Sequence, residues 1–236
     1  MDRITLSPRL AAIASMVPKG AFAADIGTDH GYIPVWLVRN EICARVIASD
    51  IRPGPLDSAR HSAAAYGVSN EIEFVLADGL EGCPQTVDTV MIAGMGGENI
   101  AGILERAPWT KNDVLLLLQP MTKSFELRIW LKENGYKVIA ERLVRDAGKI
   151  YPVIAAAAGT DKDYLPGEAY TGKVDLVSEE ELFPEYLSGL IERQERILEA
   201  LKRSNKTEDA EKYKDACEQY EGLKDIKRRF LDGDCP

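Results

Sequence analysis

The sequence is short of cysteine, of long apolar runs and of positive charge. Its four cysteines (Cys43, Cys83, Cys217 and Cys235) lie far apart in 236 residues, with no C-x-x-C pair. Such spacing argues against a metal site or a disulfide framework and fits a reducing compartment. The longest apolar run, around residues 114–118, is the size of a strand, whereas a membrane span needs about 18 apolar residues or more. Nor does Met1-Asp2-Arg3-Ile4-Thr5 open a signal-peptide core, so a cytoplasmic location is expected.

The shortage of positive charge argues at first against a nucleic-acid partner. Lys and Arg number 29 against 38 Asp and Glu, a formal charge of -9, and phosphate contact needs cations. The deficit is uneven. Residues 1–160 hold 16 basic and 18 acidic side chains, and residues 161–236 hold 13 and 20. Most of the acidity belongs to the last third of the chain, which suggests two regions of different character.

What is present is alternation. Short apolar or β-branched runs at 21–26, 46–49, 72–76, 89–93 and 114–118 predict strands. Between them, 32–39, 55–66, 99–105 and 124–134 have helical spacing. Near-continuous apolar strands alternating with helices imply a parallel sheet covered on both faces. Runs at 136–144 and 150–157, joined by Arg145-Asp146-Ala147-Gly148-Lys149, predict a terminal antiparallel hairpin. A leading helix over 7–16 is expected, with Ser7 as cap and Leu10, Ile13 and Ala14 as its buried stripe. Residues 160–178, with Pro166, Gly167 and Gly172, read as a polar linker or loose arm. Two long helical patterns follow at 179–202 and 207–231, around a short hinge at 203–206, and predict an antiparallel coiled-coil hairpin.

The sharpest motif is Ala24-Asp25-Ile26-Gly27-Thr28-Asp29-His30-Gly31-Tyr32, between the first strand and its helix. It approaches a Gly-x-Gly-x-x-Gly fingerprint, but Asp29 stands where a second glycine is usual. Two acids here would each repel a dinucleotide pyrophosphate by about 4 kcal/mol at about 4 Å and intermediate dielectric. S-adenosylmethionine carries an ammonium and a sulfonium instead, so the acids favour it. Asp50, in Ser49-Asp50-Ile51, ends the second strand and suits ribose hydroxyls. Asp78, before Gly79, ends the third and suits an adenine amino group. Ile92-Ala93-Gly94-Met95-Gly96-Gly97 is expected to leave the fourth strand as a glycine loop. Gln119, before Pro120, either reads a base edge or marks a strand stopped by proline.

Together with Leu6-Ser7-Pro8-Arg9-Leu10 and the trailing helices, these motifs resemble the TrmK family of bacterial tRNA (adenine-22-N1)-methyltransferases across nearly the whole chain. The resemblance implies an α/β fold, a Rossmann-like class I methyltransferase domain over 1–160, then a linker and coiled-coil domain over 161–236. It implies methyl transfer from S-adenosylmethionine to N1 of adenine in tRNA. The implied donor-binding residues are Asp25, Gly27, Thr28, His30, Gly31, Asp50, Ile51, Asp78, Gly79, Gly94, Met95 and Gly96. Asp29 is the catalytic candidate, as a carboxylate facing the target base; the alternative is a contact to the donor's cationic end. His30 would orient Asp29, or touch the donor, or do neither. Tyr32 and Met95 are the candidate stackers for a flipped base. Arg3, Arg9, Lys19, Arg52, Lys123 and Arg128 are candidate RNA contacts, and Lys202, Arg203, Lys206, Lys224, Lys227, Arg228 and Arg229 form local basic clusters in the hairpin. A monomer with no metal is expected. The competing readings are a small-molecule methyltransferase, separable by tRNA dependence, and a donor-binding interaction protein that uses the hairpin.

Overall fold

The computed structural model describes residues 4–203 and 209–230, so Arg3, Lys206 and Cys235 lie outside it. The chain forms two compact units, Met1–Asp161 and Lys162–Pro236.

The first unit is a seven-stranded sheet built from β1 (Ala23–Ile26), β2 (Val46–Asp50), β3 (Ile72–Leu76), β4 (Thr89–Gly96), β5 (Leu115–Thr122), β6 (Tyr136–Asp146) and β7 (Lys149–Ala158). Its order is β3-β2-β1-β4-β5-β7-β6. The first five strands are parallel, and β7 runs antiparallel to both neighbours. Every residue of β1 and β2 is buried, as expected of strands covered on both faces. Strand order reverses between β2 and β4 on either side of β1, the place where an open α/β sheet parts to form a crevice. Register sets Ile26 beside Ser49 and Asp50 beside Leu76, so the acids of β1 and β2 gather at that crevice.

Helix α1 (Pro8–Ala14) buries Ile13 and Ala14 in a core shared with Leu37, Met91 and Leu117. Ser7 occupies its N-cap position, but its side chain makes no capping bond. α2 (Tyr32–Arg39), α3 (Pro53–Tyr66), α4 (Gly97–Glu105) and α5 (Ser124–Glu133) link the strands. α5 is tied to β6 by Arg128 and Glu141. Both side chains are fully buried, with Nη2 to Oε2 at 2.7 Å and Nε to Oε1 at 3.0 Å.

β4 and β5 outrun the strands expected from sequence. The glycine motif is not a loop after β4 but its last turn of strand, continuing beside β5 through register shifts at Ala93/Met95 and Met95/Gly96. Pro120 does not stop β5; it pairs with Met95 at the irregular stretch, where a missing N–H is tolerated.

The second unit begins with the segment expected to be a loose arm. It contains α6 (Glu168–Thr171) and α7 (Val174–Val177) and buries Ala169, Val174 and Val177. α8 (Phe183–Lys202) and α9 (Asp209–Phe230) pack antiparallel: Lys202 lies over the Tyr213 ring, and the Tyr220 hydroxyl donates to Glu195. Gln219 on α9 accepts from Gly167 N, and a Cβ at Gly222 would sit 2.2 Å from the Pro166 backbone, so the arm lies flush on that helix. Within the α8–α9 seam Gln194 is buried and donates to Ala216 O at 3.2 Å.

Candidate active site

A cleft of about 920 Å³ opens at the carboxyl ends of β1 to β4. Its floor is acidic. Asp25 on β1 is 5 % exposed and has no cationic partner among the described residues. Burial pushes its carboxyl up to about 6; the Asp50 charge adds in the same direction. The Thr28 hydroxyl lowers it, approaching without a well-formed hydrogen bond, and is itself a buried polar atom with no partner. An unpaired acid beside an orphaned hydroxyl fits a cationic head group. Gly27 takes φ 75°, and a Cβ there would fall 2.2 Å from Met95 Cε, so the residue must be small for the two strand ends to meet.

Asp50 closes β2 and is 6 % exposed; its Oδ1 accepts from Arg52 N at 2.8 Å, which leaves the second oxygen for a ligand. Asp78 is exposed and bonded by Arg106 Nη2 at 3.1 Å. Ile51 and Gly79 also line the cleft. This set fits a ribose and a base beyond the cationic head. Thr28, His30, Gly31 and Gly96 do not line the cleft surface itself; Thr28 is buried beside Asp25 and His30 is half exposed beside Asp29. Gly31 packs closely against α3: a Cβ there would meet Ala59 Cβ at 2.8 Å.

Asp29 projects into the cleft mouth with 77 % of its side chain exposed, and His30 Nε2 lies 3.6 Å from it. His30 stacks on Tyr32, rings 5.4 Å apart and 13° from parallel. Tyr32 and Met95 both line the cleft. Gln119 does not read a base edge. It is fully buried, and its Oε1 accepts from Gly94 N and from Arg9 Nη1.

The basic candidates divide. Lys19 is exposed, as is Arg52, 3.7 Å from Asp50. Lys123 pairs with Glu98 at the rim. Arg128 is corrected: its guanidinium is fully buried against Glu141 and cannot reach a phosphate. Arg9 is held by Asp146 and Gln119 rather than projecting freely. Sequence reasoning missed one wall of the cleft. Asn99, Gly102, Ile103 and Arg106 recur at helical spacing along α4 and its C-cap, and that periodicity was the available signal. Among the described residues no cluster of potential metal ligands forms, and no helix is long and apolar enough to cross a membrane.

Residues 6–154 match the model of a methyltransferase domain family. The tRNA (adenine(22)-N(1))-methyltransferase of Bacillus subtilis strain 168 is 38% identical over 169 residues, 69% of each chain. The crystal structure of the B. subtilis m1A22 tRNA methyltransferase TrmK is similar, with a TM-score of 0.81, 31% identity and coverage of 95% of this chain and 99% of that one. Streptococcus pneumoniae Sp1610, solved in complex with S-adenosyl-L-methionine, aligns with a TM-score of 0.79 and 30% identity, over 94% of this chain and 99% of its own.

Proposed function

Because the chain belongs to the methyltransferase-domain family, and within it to the tRNA (adenine(22)-N(1))-methyltransferases, we propose that it transfers a methyl group from S-adenosylmethionine to N1 of adenine 22 in tRNA. The observation that carries the donor is the buried, unpaired Asp25 carboxyl on the cleft floor. When bound, S-adenosylmethionine supplies a methyl group activated by its sulfonium. The chain's residues bind and align. Asp25, ionised by a nearby ammonium, offsets that charge; Asp50 accepts ribose hydroxyls; Asp78, steadied by Arg106, accepts from the adenine amino group.

Adenine N1 already presents an in-plane lone pair, so no general base is needed. The product is cationic. Catalysis then consists of alignment and of stabilising the positive charge that appears on the base. Asp29 is placed for this: it accepts from the exocyclic amino group and offsets the new charge. The target base must leave its stack to enter, with Tyr32 or Met95 as its platform. Residues 1–160 carry this chemistry in the proposal, and 161–236 serve RNA affinity. A cytoplasmic monomer is the proposed state, in keeping with a tRNA substrate.

Incubation with labelled donor and unmodified tRNA tests the reading. N1-methyladenosine is expected on digestion, with a primer-extension stop at position 22 that vanishes when that adenine is replaced by guanine. A tRNA with adenine 22 that gains no label, or a modification elsewhere, sinks it.

A further inference from the structure

Gly94, with φ 76°, is the residue that the β4–β5 ladder skips. A bulged residue leaves its N–H outside the regular pairing, and a buried side chain supplies the acceptor here: Gln119 Oε1 on β5, at 3.2 Å. The same oxygen accepts from Arg9 Nη1 at 2.9 Å, while Gln119 Nε2 donates to Pro120 O at 3.1 Å. Both ends of the amide are engaged, which fixes the way it faces. Arg9 is anchored in turn. Its Nε donates to Asp146 Oδ2 at 2.7 Å, and its guanidinium lies over the Tyr151 ring at 5.5 Å. Beyond the bulge, Met95 crosses Gly27 at the cleft floor. One line of contacts therefore runs from β6 through α1 and β5 to the wall beside the acids.

We propose that Arg9 and Gln119 are positioning residues: they hold the Gly94 bulge, and through it Met95, in the geometry that methyl transfer requires. The proposal rests on the methyl-transfer reading of the cleft. A backbone freed from its ladder has little else to define it, and misplacement by about 1 Å at a reacting centre costs about 100-fold in rate. The forked guanidinium suits the task, since it bonds Asp146 and Gln119 at once; a lysine ammonium on a flexible stem lacks that fork.

Two substitutions test it. Arg9→Lys keeps the charge, and Gln119→Met keeps the bulk. Each is expected to lower kcat at least about tenfold, with donor and tRNA Kd within about twofold of the parent. Unchanged donor affinity also shows that the variants fold. The double variant should lose no more than the worse single one, because both act through one bulge. Hydrogen exchange at the Gly94 amide should quicken in both variants with neither donor nor tRNA present, so it stands or falls apart from the methylation assay. Parental kcat in Arg9→Lys, unchanged Gly94 exchange, or fully additive losses would overturn the proposal. So would a raised tRNA Kd with kcat intact, the mark of a phosphate contact.

Discussion

Arg128 and Glu141 are each fully buried and each supplies the other's counter-charge, whereas Asp25 is nearly as deep and meets no cation among the described residues. The first pair is closed within the chain. Removing both its members for apolar groups is often neutral, while removing one leaves a stranded charge. The second site is open, and burial has pushed its carboxyl up to about 6. Closed charges satisfy one another within the fold; the open one is a place for something the chain does not itself contain.

The largest expected effect comes from breaking the closed pair. Glu141→Ala should cost about 3–5 kcal/mol in urea unfolding, because Arg128 stays buried without its acid. Adding Arg128→Met should recover most of that loss. If the single and double variants are equally unstable, the pair is not what the geometry implies.

Opening the contrast from the other side, Asp25→Asn should weaken donor binding about 100-fold by calorimetry yet leave the free protein no less stable at pH 7. The folded-state value of about 6 lies above the ordinary 3.8, so the folded protein holds the proton more tightly. This group's contribution to stability is therefore lost as pH rises from about 4 through 6, by about 3 kcal/mol at full extent. Without donor, the parent should fall relative to Asp25→Asn across that window. Parallel stability curves would place the Asp25 carboxyl in an ordinary, hydrated setting.

Asp29 lies between the two cases, acidic and exposed, with His30 beside it. Asp29→Ala should lower kcat about 100-fold and leave donor Kd within about twofold. Loss of donor binding instead would make it a second binding acid. The smallest effect belongs to Arg106→Ala. Its ion pair with Asp78 is half exposed, so stability should change by less than about 1 kcal/mol and donor affinity only a few-fold.

Much of this was readable from sequence because the central strands β1, β2, β4 and β5 begin as apolar runs, and Asp25, Asp50 and Asp78 stand at or just beyond the ends of the first three strands. Two misreadings share a physical source. A bulge changes which side of a strand its later residues face, and pattern reading assumes strict alternation. The register shift between Val138 and Ala140 turns Glu141 inward, and with it the Arg128 that looked like a surface cation. The shift at Gly94 likewise keeps β4 going where three glycines promised a loop. In the second unit, Pro166, Gly167 and Gly172 outweighed Val174 and Val177 in the reading, although those two valines bury the segment. Sequence neighbours on a tight turn point different ways: of the motif at 24–32, Asp25, Ile26, Gly27, Asp29 and Tyr32 line the cleft.

The buried Gln194 in the α8–α9 seam has a mechanical consequence. Its amide meets the Ala216 carbonyl at one alignment of the two helices. Sliding one helix past the other would carry that amide away from the Ala216 carbonyl and toward the buried Leu223 and Ile226 side chains of α9. The seam is thus notched like a key, and the spacing of exposed cations along the two helices is a ruler of constant length rather than a pattern that drifts.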